Sequence, residues 1–160
     1  MIDERKRFGD WEGDTIVGHA HRGVLLTLVE RTTRLTKMIS LPNRKADLIC
    51  QASTALLRSY QPKSITFDNG KEFSLHAQLS KNLKAEIYFA RPYHSWERGT
   101  NENTNGLIRQ FFGKRLSLDK LDWKEVQKVE DLLNHRPRKV LGYLTPIEAM
   151  GKNQLVALRI

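Results

Sequence analysis

The chain has 160 residues, the size of one domain, and 39% of them are hydrophobic against 28% charged, the balance of a folded domain and not of a disordered one. No apolar run approaches the roughly 18 residues of a membrane span, and the opening residues Met1 to Arg7 have no apolar stretch behind them to act as a signal core. Lys and Arg outnumber Asp and Glu by 27 to 18, a formal charge of +9, so an acidic polymer is the expected partner and no membrane is.

Residues 11–17, 24–30 and 36–41 are rich in β-branched and apolar side chains and read as three strands of an antiparallel meander, with turns at 18–23 and 32–34. From 46 to 60, Leu48, Ile49, Ala52, Ala55, Leu56 and Leu57 recur at helical spacing until Pro62 closes the segment, which predicts an amphipathic helix. Residues 64–68 form a short strand running into Asn69-Gly70, a turn signal. A helix over 75–83 and a strand over 86–90 follow. Residues 100–112 and 122–135 are expected to be helices, the second with Asp122 as N-cap and Val126, Val129, Leu132 and Leu133 on its buried stripe. Thr145-Pro146 opens a last short helix through Met150. This order predicts one α/β domain over 1–160, a mixed five-stranded sheet flanked by helices. Trp11 and Trp123 are assigned to its core.

Cys50 is alone, so no intrachain disulfide or cysteine-based zinc site can form, in keeping with a reducing, cytoplasmic location. Carboxylates are the better candidates for chemistry. Asp14 interrupts an apolar strand, where aspartate is disfavoured, and a carboxylate there needs a cation or arginine nearby. Asp68 ends a strand beside a glycine turn, facing either a functional crevice or its own loop as an Asx turn. Glu102 lies in an unusually polar helix start, as a ligand or as a solvated residue favoured by the helix dipole. Together the three offer hard oxygen ligands suited to Mg²⁺ or Mn²⁺. Two such ions can activate an attacking oxygen and stabilise a leaving oxygen in phosphodiester chemistry.

Asp68 follows Asp14 by 54 positions (68 − 14) and Glu102 follows Asp68 by 34 (102 − 68), a spacing that resembles the DDE arrangement of transposases and retroviral integrases. The surrounding words are more specific: Gly9-Asp10-Trp11-Glu12-Gly13-Asp14-Thr15-Ile16, Thr66-Phe67-Asp68-Asn69-Gly70-Lys71-Glu72-Phe73, and Arg98-Gly99-Thr100-Asn101-Glu102-Asn103-Thr104-Asn105-Gly106. With Asn134-His135-Arg136-Pro137-Arg138 and Leu144-Thr145-Pro146, they resemble the catalytic half of insertion-sequence transposases of the IS-thirty type. The resemblance runs from about Phe8 to Leu158. It implies a ribonuclease H-like fold, a divalent-metal site at Asp14, Asp68 and Glu102 that holds two ions when DNA is bound, cleavage at transposon ends, and attack of the freed 3′-hydroxyl on target DNA. Relatives of this kind carry an N-terminal helix-turn-helix region, so the chain is read as a catalytic core lacking it. They work as multimers, so a homo-oligomer bound to double-stranded DNA, and thereby to the nucleoid, is expected of the active form.

Other residues compete for roles. Asp10 and Glu12 share Asp14's face of a regular strand and are rival ligands, whereas Glu72 and Glu97 read as loop or helix-entry residues. Arg98, Asn101, Asn105 and Arg109 recur at three- and four-residue steps and could present one helix face to a phosphate backbone, and Trp96 could stack on a base. Alternatives to the transposase are a ribonuclease H-like nuclease that only hydrolyses, and an inactive DNA-binding remnant.

Overall fold

The computed structural model describes residues 7–91 and 99–158, the side chains of 156–158 excepted. Five strands, β1 (Asp10–Val17), β2 (Val24–Glu30), β3 (Thr36–Leu41), β4 (Ser64–Phe67) and β5 (Glu86–Phe89), form one sheet in the order β3-β2-β1-β4-β5. The first three make the expected antiparallel meander, and β4 and β5 add to the other side of β1 in parallel. The helices are α1 (Ala46–Leu57), α2 (His76–Leu83), α3 (Gly99–Phe111), α4 (Trp123–Asn134) and α5 (Pro146–Leu158). The sheet is mixed and five-stranded, as expected, with a helical layer on each face.

Alternation along β1 divides its side chains between two cores. Trp11 joins Leu26, Leu28, Ile65 and Phe67 with residues of α1 and α2 in one cluster; Ile16 joins Leu25 and Met38 with Ile108 of α3 and Val126, Val129 and Leu133 of α4 in the other. Gly13 is required by the first cluster, because a Cβ there would sit 2.1 Å from Phe67 Cε1, far inside van der Waals contact. Phe67 occupies that space and stacks on Phe73 at 4.2 Å between centroids.

β3 is an edge strand, and its free backbone is covered by α4. Asn134 Oδ1 accepts from Thr36 N at 2.9 Å while its Nδ2 donates to Thr36 O at 2.8 Å, and Glu130 Oε2 accepts from Met38 N at 2.8 Å. Two side chains thus stand in for a sixth strand, which removes the open template an edge presents.

The expected helix caps are present. Asp122 accepts from Lys124 N at the start of α4, and Thr145 and Glu148 bond reciprocally at the start of α5, a capping box. Some expectations need correction. The first helix ends at Leu57 and tightens into a 3-10 turn over Arg58–Tyr60, and α5 runs well beyond Met150. Ala55 lies on the exposed side of α1. Trp11 is core, but Trp123 is 69% and Leu132 48% exposed, because α4 turns Val126, Val129, Glu130, Leu133 and Asn134 inward to meet the sheet and the β3 edge. No described helix is long and apolar enough to cross a membrane.

Candidate active site

Parallel pairing of β1 with β4 sets the site. Asp10 pairs with Ser64, Trp11 with Ile65 and Glu12 with Thr66, a constant offset of 54 positions (64 − 10), and the same offset carries Asp14 to Asp68, one residue past the end of β4. The sequence interval between the two aspartates therefore equals the register of the paired part of the two strands, Asp10–Glu12 with Ser64–Thr66. Lower on the same face, Ser64 Oγ donates to Asp10 Oδ1 at 2.6 Å, as pairing in register requires.

The third carboxylate comes from α3, which crosses this face. Asn105 Nδ2 donates to Asp14 Oδ2 at 3.1 Å, and Thr27 Oγ1 contacts Asn101 Oδ1 and Asn105 Oδ1, each at 3.2 Å. Glu102 is one helical turn before Asn105, in the first turn of α3, and exposed.

The expected gathering of Asp14, Asp68 and Glu102 into a ready three-carboxylate cage is not the arrangement found: among the described residues no three His, Cys, Asp or Glu side chains are placed to hold an ion. Each aspartate has a donor of its own. Asp14 Oδ1 accepts from Thr15 N at 2.8 Å and Oδ2 from Asn105. Asp68 Oδ1 accepts from Gly70 N at 2.8 Å, the Asx turn that its position also allowed. The donor set remains one of hard oxygens on β1, just past the end of β4 and on the first turn of α3, which fits Mg²⁺ or Mn²⁺ and offers nothing to a soft metal.

The rival ligands are occupied. Asp10 is held by Arg7, Nη2 to Oδ1 at 2.6 Å, and by Ser64. Glu12 is fully buried, with Arg31 Nε 3.0 Å from its Oε1 and Asn101 N donating to its Oε2 at 2.7 Å. The Arg31 contact is an ion pair between two buried side chains. Arg34 Nη1 also donates to Thr100 Oγ1. Glu12 and the β2–β3 turn therefore fix the start of α3, and with it the backbone of Glu102. Sequence showed Glu12 on the right face but not that a main-chain N–H 89 residues away would claim it.

Asn101, Asn105 and Arg109 do share a helix face, but that face meets the sheet. Asn101 is 0% exposed, which rules out a DNA contact in this structure. Asn105 is half-buried against Asp14 and Thr27, and Arg109 Nη2 donates to Val17 O at 3.1 Å. Arg98, Trp96 and Glu97 lie outside the described residues. Glu72, read as a loop residue, is half-buried: Thr15 Oγ1 donates to its Oε1 at 3.1 Å. A Cβ on Gly70 would fall 2.3 Å from Glu72 Oε2 and 2.8 Å from Asp68 Oδ1. Both carboxylates thus close on the glycine that follows Asp68, and Glu72 ties that loop to β1.

The chain is similar to known proteins along nearly all of its length. The catalytic core domain of BIV integrase superposes with a TM-score of 0.73 over 94% of this chain and 98% of that one, at 19% identity, so the fold is ribonuclease H-like. "Transposase for insertion sequence element IS4351" of Bacteroides fragilis is 43% identical over 92% of this chain, and "Transposase InsI for insertion sequence element IS30A" of Escherichia coli is 40% identical over 94% of it. The chain spans less than half of each of these two relatives, 46% and 40% of their lengths. The integrase core domain family matches residues 4–95, all five strands and the two aspartates included; the chain belongs to that family.

Proposed function

We propose that the chain is the catalytic core of a DNA transposase, in which Asp14, Asp68 and Glu102 hold Mg²⁺ or Mn²⁺, two ions when DNA is bound. The observation that carries the reading is the offset of 54 between paired residues of β1 and β4, equal to the interval from Asp14 to Asp68 just past the end of β4, with Glu102 one turn from the asparagine that touches Asp14. The bound metal supplies the activation of an attacking oxygen and the stabilisation of a leaving one. The chain's own residues supply placement. β1 and β4 fix the two aspartates relative to each other, Asn105 orients the Asp14 carboxylate, and Glu12 with Arg34 sets where α3 begins. Glu102, exposed on the first turn of α3, would complete the set of oxygen ligands that hold the metal. The substrates are transposon ends and target DNA, and Arg98 and Trp96, just ahead of α3, are their assigned contacts. The active form is a homo-oligomer working in the bacterial cytoplasm.

The test supplies a pre-cleaved DNA end with a free 3′-hydroxyl and an acceptor plasmid, with Mg²⁺ or Mn²⁺. Joined product that disappears in Asp14→Asn and Asp68→Asn supports the reading. Hydrolysis without joining would assign the chain to the nucleases of this fold, and neither reaction, with no metal-induced rise in Tm, would make it an inert remnant.

A further inference from the structure

The two elements that carry Asp14 and Glu102 end at one basic lobe. Beyond Asp14, β1 runs to Val17 and turns through residues 18–23; α3 runs beside it, with Arg109 Nη2 donating to Val17 O, and ends at Phe111. The turn is then clamped to the loop after α3: His19 N donates to Leu116 O and Leu118 N to Arg22 O, each at 2.9 Å. Two glycines permit the approach, since a Cβ on Gly18 would fall 2.8 Å from Leu118 N and one on Gly23 would fall 2.3 Å from Asp119 N. The tip between them is strained. Ala20 and His21 have φ of 53° and 58°, left-handed backbone that costs free energy in any residue with a Cβ. Burial does not offset that cost, because His19, Ala20, His21 and Arg22 are all exposed. Lys114 and Arg115 are exposed on the adjoining turn, which Leu116 N closes on Gly113 O. Residues 18–23 contain no acid, and residues 113–120 set Asp119 against Lys114, Arg115 and Lys120. Among the described residues, Arg22, Lys114 and Arg115 have no carboxylate ion-pair partner.

We propose that this lobe, the 18–23 turn with the 113–116 turn clamped to it, grips the phosphate backbone of the DNA beside the reacting site. A strand rises about 3.3 Å per residue, which puts Gly18 about 13 Å beyond Asp14, and a helix rise of about 1.5 Å puts Phe111 about 14 Å beyond Glu102. Successive phosphates of a strand advance about 3.4 Å along the duplex, so the lobe meets it about four base pairs from the carboxylates. Its cations neutralise phosphates whatever the base sequence, and a tip already fixed by its clamp loses little freedom on binding. The lobe is separate from the Asn101, Asn105 and Arg109 face, which the sheet covers. It rests on the reading that the chain acts on DNA.

Fluorescence anisotropy of a labelled random-sequence duplex, titrated in EDTA across a salt series, tests the lobe without metal or catalysis. Arg22→Gln/Arg115→Gln is expected to bind about tenfold more weakly than wild type and to lose about one to two from the slope of log K against log salt. Lys124→Gln/Lys128→Gln, on the exposed side of α4, removes equal charge and is expected to change both far less. All four side chains are exposed, so both variants are expected to keep the wild-type Tm. Contact is read separately by photo-cross-linking: an aryl azide on Ala20→Cys is expected to cross-link the duplex and one on Lys128→Cys is not, with single labelling checked by mass because Cys50 is buried. Equal losses in the two double variants, wild-type affinity in Arg22→Gln/Arg115→Gln, or no cross-link from position 20 would overturn the lobe and leave the DNA reading standing. No binding by wild type would overturn the DNA reading itself. Wild-type affinity in Arg22→Gln/Arg115→Gln together with a smaller molar mass by light scattering would reassign the lobe to contact between copies of the chain.

Discussion

Replacing Glu12 with alanine is expected to cost more stability than removing any residue assigned to metal. Its carboxylate is fully buried, 3.0 Å from the equally buried Arg31 Nε, and accepts the Asn101 N–H at 2.7 Å. Removing one partner of a buried ion pair costs about 3–5 kcal/mol, and the orphaned Asn101 N–H adds to it. Against a total stability of about 5–15 kcal/mol for a domain, this lowers Tm by roughly 6 to 20 °C. Glu12→Gln, which can still accept from Asn101 N, should lose less. Urea unfolding gives the magnitude, and hydrogen exchange across residues 99–105 reports whether the start of α3 has loosened. The opposite role makes the opposite forecast. Were Glu12 a metal ligand, Glu12→Ala would leave the metal-free protein as stable as wild type and abolish its stabilisation by Mg²⁺. A metal-free stability within about 1 kcal/mol of wild type, with unchanged exchange in α3, would refute the positioning role.

Gly13→Ala drives a methyl into Phe67, 2.1 Å from Cε1, and overpacking of this kind costs about 1–3 kcal/mol, readable as a lower urea midpoint at unchanged slope. Asn134→Ala strips the two bonds to Thr36; a loss of about 1–3 kcal/mol and faster, concentration-dependent aggregation by light scattering are expected as the β3 edge opens. Burial raises the pKa of Glu30 above its ordinary 4.5, against the lowering effect of donors on Thr33, Gly9 and Thr32. The folded state then holds this proton more tightly than the unfolded one, so the contribution is full below the ordinary value and is lost as pH rises through the folded pKa. The stability of wild type relative to Glu30→Gln should therefore fall between pH 4 and neutrality in a urea series, and a margin independent of pH would contradict the shift.

Much of the fold was legible because its signals are local. Alternating and helical periodicity located all five strands and five helices, and short polar words such as Asp122 and Thr145-Pro146 announced the caps. Helix faces were harder. Periodicity marks an apolar stripe but not the element it meets, so Leu132 and Trp123 were assigned inward although the sheet and the β3 edge draw Glu130 and Asn134 to the buried side. The polar face of α3 misled in the reverse direction: its asparagines suggested solvent or DNA, and two of them serve a polar seam over Glu12, Asp14 and Thr27.

The amino-acid sequence by itself determined the element order, the basic excess, and the identity and intervals of Asp14, Asp68 and Glu102, because residue type and chain spacing need no partner to be read. Tertiary structure alone decided that the interval of 54 is a strand register, that Glu12 is committed to Arg31 and the start of α3, and that Glu102 stands exposed. Each of these depends on which distant group a side chain meets. A linear pattern does not encode that.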